Sequence, residues 1–333
     1  MPFEGAPHEG TLMAFPCRSE LWRGHLREGQ QAWVDLARTI ARFEPVTMLA
    51  RDGDVALAAD LCGDNNTHAI DIVAMALDDS WLRDTAPIYV TAPGRRVAVD
   101  FRFNGWGEAY LPYNDDDAIP SRLCALRDEA SLRVDLVLEG GSITVDGAGT
   151  LITTEQCLLH PNRNPTLSRH DIETALRSSL GVEVIIWLPV SIDDRDTDGH
   201  VDLVAAFIEP GRVLWQGCSD LNDAEHQRLA LSRRCLDGAL DAAGNSIQIV
   251  DVPVLPYYEI DGERLPVPYV NLYLCNGAVI VPITGHEADE DMLAIIASAW
   301  PKRTVVPVDG RMIAFGGGGP HCTTQQIPAI QQR

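Results

Sequence analysis

Apolar runs recur along this chain in a fixed order. A helix leads into an apolar strand, a short polar segment follows, and two further strands close around a glycine turn. The pattern predicts a helix over Ile119–Arg127, followed by RVDLVLEGGSITVDGAGTLITT. A second helix opens at Ser168, where Asp171 three residues on makes a capping box, and ends at Gly181. VEVIIWLPV, DDRDTDGHVDLVAAFI, the turn EPG and RVLWQG come after it. A third helix is predicted over Ala224–Ala243, leading to SIQIVDVPVL and YVNLYLCNGAVIVPI. The fourth, Glu287–Trp300, leads to TVVPVDG and a glycine run, GGGGPHC. AIDIVAMALDDSWLRDTAPIYV, the turn APG and RRVAVDF make the remaining unit, and TLMAFP near the N-terminus is free to complete the last one. Five units that each bury a face on the next build a ring, although the same order also fits an α/β sandwich. Either way the pattern predicts one domain over residues 1–333.

The polar segments hold the unusual residues. Asp84, Glu139, His200 with Asp202, Asn271 and Cys322 each fall in the polar segment of a different unit. In a ring, equivalent positions converge on the axis, so one cavity would receive carboxylates, a histidine, an amide and a thiol. Singly, each residue has a plain explanation. Asp84 could pair with Arg83 or cap a turn. Glu139 before two glycines could mark a hairpin corner. His200 and Asp202, two apart, would share one face of a strand.

Composition narrows the partners. The 26 basic and 48 acidic residues give a formal charge of −22, which argues against nucleic acid and anionic membranes. An acidic surface suits a cationic ligand, though it also serves solubility. No apolar run approaches the ~18 residues a membrane span needs, and MPFEGAPHEG lacks the order of a secretory signal. A cytoplasmic protein is the expectation. The eight cysteines include no C-x-x-C pair, so most read as buried thiols and not as a disulfide framework. Cys322 is the exception, set among glycine, histidine, threonine and glutamine.

Two chemistries compete for these residues. His200, Asp202, His321 and Cys322 are all metal-ligand types, but their spacing is unlike the close pairs of zinc sites. One thiol, one distant histidine and an orienting carboxylate fit nucleophilic catalysis better. Carboxylates around a thiol oppose its ionisation. A planar guanidinium reverses that objection, because it docks bidentately on carboxylates and its charge stabilises the thiolate. The glycines before Cys322 would let the sulfur approach such a group closely.

At these residues the chain resembles the agmatine deiminase and bacterial peptidylarginine deiminase family of guanidine-modifying enzymes. The likeness runs from PHEGTLMAFP through WLRDTAPIYV, FNGWG, LEGGSI, TTEQCLLHPNRNP, DTDGHVD and YVNLYLCNGAVIVP to GGGGPHCTTQQIP. It implies a five-bladed pseudo-symmetric α/β propeller of ββαβ units, with no metal or organic cofactor and a small cationic guanidino substrate. Carried over by position, the nucleophile is Cys322, the acid/base His200, and its carboxylate partner Glu139. The guanidinium-binding aspartates are Asp84 and Asp202, while Trp81, Asn271 and Asp196 contact substrate, the last near its far amine. Where the family commonly reads GGGNIHC, this chain has Gly319 and Pro320. The implied reaction is hydrolytic deimination, of agmatine before peptidyl-arginine or another guanidino compound. Amidino transfer and simple polyamine binding are the alternatives, and homo-oligomerisation is left open.

Overall fold

The computed structural model describes residues 1–194 and 196–330. Its strands sort into small sheets with one recurring topology. Ile88–Ala92 and Arg95–Arg102 form an antiparallel hairpin, helix Ile119–Arg127 crosses over, and Ser131–Val137 returns parallel to the hairpin's second strand. The same ββαβ order builds a sheet from Ile143–Val145, Thr150–Thr154 and Val184–Leu188, with Arg169–Leu180 as its crossover helix. It builds another from Ala205–Glu209, Arg212–Gln216 and Gln248–Val252, and a fourth from Tyr273–Cys275, Ala278–Ile283 and Thr304–Asp309. Both chain ends share the fifth. Gln325–Pro328 pairs antiparallel with His8–Ala14, which then runs parallel to Val46–Ala50 across helix Leu26–Ile40, and Ile70–Ala74 adds an outer strand. The segment TLMAFP thus completes the last unit, in the position its pattern predicted.

Five apolar clusters lie between these sheets in cyclic order. Ile88, Val99 and Leu136 pack with Ile143, Val145 and Leu151, and Ile152 and Leu188 pack with Phe207 and Trp215. Ile208 and Leu214 meet Leu272 and Val279. Tyr273, Ile280 and Val306 meet Met13, Trp33 and Met48. Finally Leu12 and Leu49 meet Tyr89 and Ala98. Each sheet buries one face against its predecessor and one against its successor, and the last returns to the first. A five-bladed α/β propeller requires this arrangement.

Local signals set the crossover helices. Ser168 and Asp171 form the reciprocal capping box, and Gly181 ends that helix in the left-handed conformation (φ 68°). The third predicted helix is shorter than expected. It spans Ala224–Asp237 and stops at Gly238, and the next residues turn back, with Leu240 bridged to Ser246. Glycine disfavours helix continuation, and that penalty outweighs the alanines that follow.

Glu44, at the end of the first crossover, fastens the ring where the two chain ends meet. Its carboxylate is fully buried and accepts from Thr11 Oγ1 (2.6 Å), Asn276 N (2.6 Å) and Tyr273 OH (3.3 Å), with His8 Nδ1 at 3.0 Å. Burial raises its pKa, but the His8 contact and the other donors outweigh that and hold it below the ordinary value. A buried charged acceptor with several donors is costly to delete, so Glu44→Ala is expected to destabilise the fold by about 3 kcal/mol in urea unfolding. A depressed carboxylate contributes above its unfolded pKa and loses that contribution as pH falls. The gap between the two proteins should therefore narrow below about pH 4. A gap independent of pH would remove the charge from this account.

Candidate active site

The polar segments between one sheet's last strand and the next sheet's first meet at the centre. Asp84 lies in the short helix Leu82–Thr85. Its Oδ1 accepts from Gly141 N (2.9 Å) and its Oδ2 from Trp106 Nε1 (3.0 Å). His200 Nδ1 stands 3.8 Å from Asp84 Oδ1. Arg83 is not the partner of Asp84 suggested by adjacency. Its guanidinium turns away to Gln326 Oε1 (2.9 Å) and the carbonyl of His321 (3.2 Å).

His200 and Asp202 do not lie on a strand. They bracket the start of a 3-10 turn, Val201–Leu203, entered through two left-handed residues, Asp198 (φ 58°) and Gly199 (φ 87°). Glu139 likewise precedes a 3-10 turn, Gly140–Ser142, and not a simple hairpin corner. Gly141 in that turn is where the groups converge. A β-carbon there would sit 2.5 Å from His200 Nδ1 and 3.0 Å from both Asp202 Oδ2 and Asp84 Oδ1. Only a residue without a side chain leaves the three groups their places.

Cys322 is buried beside them. Its sulfur lies 3.2 Å from Asn271 Nδ2, a donor, and 3.4 Å from Asp202 Oδ2, which accepts the thiol proton. The glycine run packs around it. A β-carbon on Gly318 would stand 2.6 Å from the Trp81 ring and 3.0 Å from the sulfur, and one on Gly319 would stand 2.4 Å from Asn271 Oδ1. Trp81 is itself braced edge-on by Trp33, with ring centres 5.2 Å apart.

The charges are unequally held. Burial, then the neighbouring Asp202, pushes Asp84 up to about 7. Asp202 is equally buried, yet its hydrogen bond and charge interaction with His321 outweigh burial and pull it below the ordinary range. Burial lowers His200, against the opposing pull of Glu139 and Asp202. Burial, with Asp202 and Asp84 adding to it, holds the Cys322 thiol far above its usual value. These surroundings favour a neutral thiol.

Glu139 is engaged first by a cation absent from the sequence reading. Arg163 Nε donates to its Oε1 (2.7 Å), both side chains being fully buried. Among the described residues, Glu139 Oε2 and His200 Nε2 are each buried without a hydrogen-bond partner. Among the described residues, the metal-ligand types that cluster are Glu139, Cys157 and His200, within 4.8 Å of one another. That is not the set of His200, Asp202, His321 and Cys322 that the sequence offered. With the Arg163 guanidinium already on Glu139, this cluster carries its own cation.

The pocket over Cys322 is lined by Asp79, Trp81, Asp84, Trp106, Tyr110 and Asp196, among others. Asp196 accepts from Tyr110 OH. The pocket shares Leu21, Tyr110, Asp196 and two glycines with a wide outer cleft of about 1100 Å³. Trp106, missed in the sequence, carries the strain of this site. It sits at φ 53° between Gly105 and Gly107, both left-handed, and delivers its indole N–H to Asp84. A tryptophan between two glycines was the available signal.

Comparison with known proteins identifies the family. The profile of the Porphyromonas-type peptidyl-arginine deiminases matches residues 1–328. The chain belongs to that family. It is 40% identical over 353 residues to the agmatine deiminase of Pseudomonas aeruginosa (strain LESB58), covering 99% of this chain and 95% of the relative. The structure of an agmatine deiminase from Enterococcus faecalis superposes with a TM-score of 0.95 at 32% identity, covering 99% of this chain and 96% of that one. An agmatine deiminase from C. jejuni, solved with substrate bound, gives 0.89 at 28% identity over 100% and 96% of the two chains.

Gly141→Ala is expected to cut kcat/KM for deimination at least ~100-fold, since small misplacements of reacting groups carry that cost. The urea midpoint should change far less in proportion. Wild-type turnover by Gly141→Ala would show that His200, Asp84 and Asp202 need not meet at this point.

Proposed function

We propose that this protein hydrolyses the guanidinium of agmatine to N-carbamoylputrescine and ammonia, with Cys322 as nucleophile. The observation that carries the reading is a buried thiol under a pocket whose lining, among the described residues, holds Asp79, Asp84 and Asp196 and no lysine or arginine. Such a pocket rejects anions and favours a cation that can bond to paired carboxylates. The agmatine deiminases among its relatives support the choice of substrate.

Asp84 and Asp202 hold the guanidinium, whose charge returns Asp84 to its ionised form and lowers the cost of a thiolate at Cys322. The thiol proton passes to His200, leaving thiolate and imidazolium with no change in net charge. The sulfur adds to the guanidinium carbon, His200 gives its proton to the departing nitrogen, and ammonia leaves an amidino-thioether. His200, neutral again, takes a proton from water as its oxygen attacks the same carbon. The C–S bond then breaks, the hydroxyl proton leaves to solvent, and His200 returns its proton to the thiolate as the neutral ureido product is released. Glu139 supports the histidine while Arg163 holds that carboxylate. Asn271 steadies the sulfur through its amide N–H, Trp81 forms a wall beside the guanidinium, and Asp196 faces the distal ammonium.

Cys322→Ala should abolish turnover and leave the fold intact, because removal of a covalent nucleophile typically costs many orders of magnitude in rate. Deimination by a well-folded Cys322→Ala protein would end the covalent reading. The substrate is tested separately. Agmatine should exceed free arginine by at least roughly tenfold in kcat/KM, about 1.4 kcal/mol, because a carboxylate at the distal end would meet Asp196. Asp196→Ala should narrow that ratio by weakening agmatine. An arginine-preferring wild type would sink the agmatine assignment, and an unchanged ratio would remove Asp196 from the selectivity.

A further inference from the structure

A second group of charges lies outside the pocket lining, against Asp202. His321 immediately precedes the nucleophile, and Glu4 comes from the segment before the first strand. Glu4 Oε2 is 2.9 Å from His321 Nε2, and His321 Nδ1 is 2.8 Å from Asp202 Oδ2. The same Asp202 oxygen accepts from the Cys322 thiol. Both ring nitrogens of His321 therefore face carboxylate oxygens. Only the imidazolium satisfies both, because the neutral ring would turn a lone pair onto one of them.

The surroundings reinforce that state. Arg83 stands 3.5 Å from the other Glu4 oxygen and bonds to the His321 carbonyl. The ring of His8 reaches the Glu4 backbone (2.7 Å) and is held from behind by Glu44. On the far side, beyond Asp202, lie Cys322, Asp84 and His200. Burial raises Glu4, but His321 and Arg83 outweigh it and hold the carboxyl down at about 2. Burial and Arg83 oppose protonation of His321, yet Glu4 and Asp202 together lift it above its ordinary value.

We propose that Glu4 and His321 are a positioning pair for the reaction, a carboxylate and an imidazolium that keep Asp202 ionised and turned toward the thiol, and so set how readily Cys322 gives up its proton. Without the imidazolium, Asp202 would lose its counter-ion beside the sulfur, and Glu4 would keep only the more distant Arg83. Glu4 is present to keep the imidazolium charged in a buried site. The consequence is that a residue 317 positions from His321 in the chain, and outside the pocket, tunes the nucleophile.

This inference rests on the reading of Cys322 as nucleophile, and the test separates the two. Intact protein is labelled with iodoacetamide at pH 8, and modification of Cys322 is followed by mass spectrometry. Cys235, which is exposed, serves as internal standard. His321→Gln keeps a polar side chain but strands the negative charge, and Cys322 labelling should fall about tenfold, the effect of a one-unit rise in thiol pKa. Adding Glu4→Gln to that variant removes the stranded charge and should recover most of the rate. A merely structural pair would be damaged further by the second change. Wild-type labelling in His321→Gln, or a double variant no faster than the single one, overturns the proposal. Should the variants fail to fold, 15N-histidine NMR of the wild type decides. His321 should remain an imidazolium at pH 7.5, and titration near its ordinary value of about 6.5 overturns the proposal. Turnover that survives stoichiometric labelling of Cys322 would sink the nucleophile reading alone and leave the labelling comparison interpretable.

Discussion

Two carboxylates buried within reach of one thiol are the constraint that the centre of this fold has to meet. Asp84 and Asp202 cannot both stay ionised in a closed pocket at little cost, and the surrounding groups divide the burden unevenly. Asp202 receives His321 as a counter-ion. Among the described residues, Asp84 accepts from neutral donors, the Trp106 indole and the Gly141 amide, and burial with Asp202 beside it pushes it up to about 7. On the proposed function, Asp84 is the carboxylate whose charge answers to a bound guanidinium. On the same reading, a bound guanidinium would shift Cys322 from the neutral thiol toward the thiolate, so that the sulfur becomes nucleophilic chiefly beside substrate.

The ring explains why these groups can meet at all. No two of the five site segments are neighbours in the chain, and each is held at its base by the strand that follows it. Apolar clusters between successive sheets fix the angle of each sheet against the next. The positions of Asp84, Glu139, His200, Asn271 and Cys322 thus inherit the stiffness of five separate cores. Closure depends on polar contacts as well. Glu44 ties the first strand to the fourth sheet, and Glu4, just upstream of that strand, reaches His321 beside Cys322. Fold closure and active-site electrostatics share one short stretch of chain.

Much of this was legible in the sequence because the repeat carries both fold and site. The capping box at Ser168 and the strand–turn–strand units are local signals, and the structure reproduces them. Errors came where a local rule met a tertiary one. Alternation placed His200 and Asp202 on a strand, but the left-handed Asp198–Gly199 entry makes a 3-10 turn there instead. The predicted helix over Ala224–Ala243 ran through Gly238 because its alanines favour helix, whereas the chain turns to build the Leu240–Ser246 bridge. Trp106, Arg163 and Glu4 left weaker traces. Each acts on a residue already singled out, through contacts with no fixed spacing in the chain, and an aromatic, an arginine or a glutamate in a loop has many ordinary uses.

The departure at Gly319 and Pro320 has a structural reading of its own. Asn271 Oδ1 lies within 2.4 Å of where a Gly319 β-carbon would stand, so the asparagine common at this position in the family would collide with Asn271 as it is placed here. The absent side chain is what allows Asn271 to lean over the loop and bring its amide N–H to the sulfur. Pro320 stiffens the same corner, and its carbonyl accepts from the hydroxyls of both Thr323 and Thr324. Those bonds fix the turn that carries His321 and Cys322. Flexibility at Gly319 is thus offset by rigidity at Pro320, in the turn that carries the sulfur.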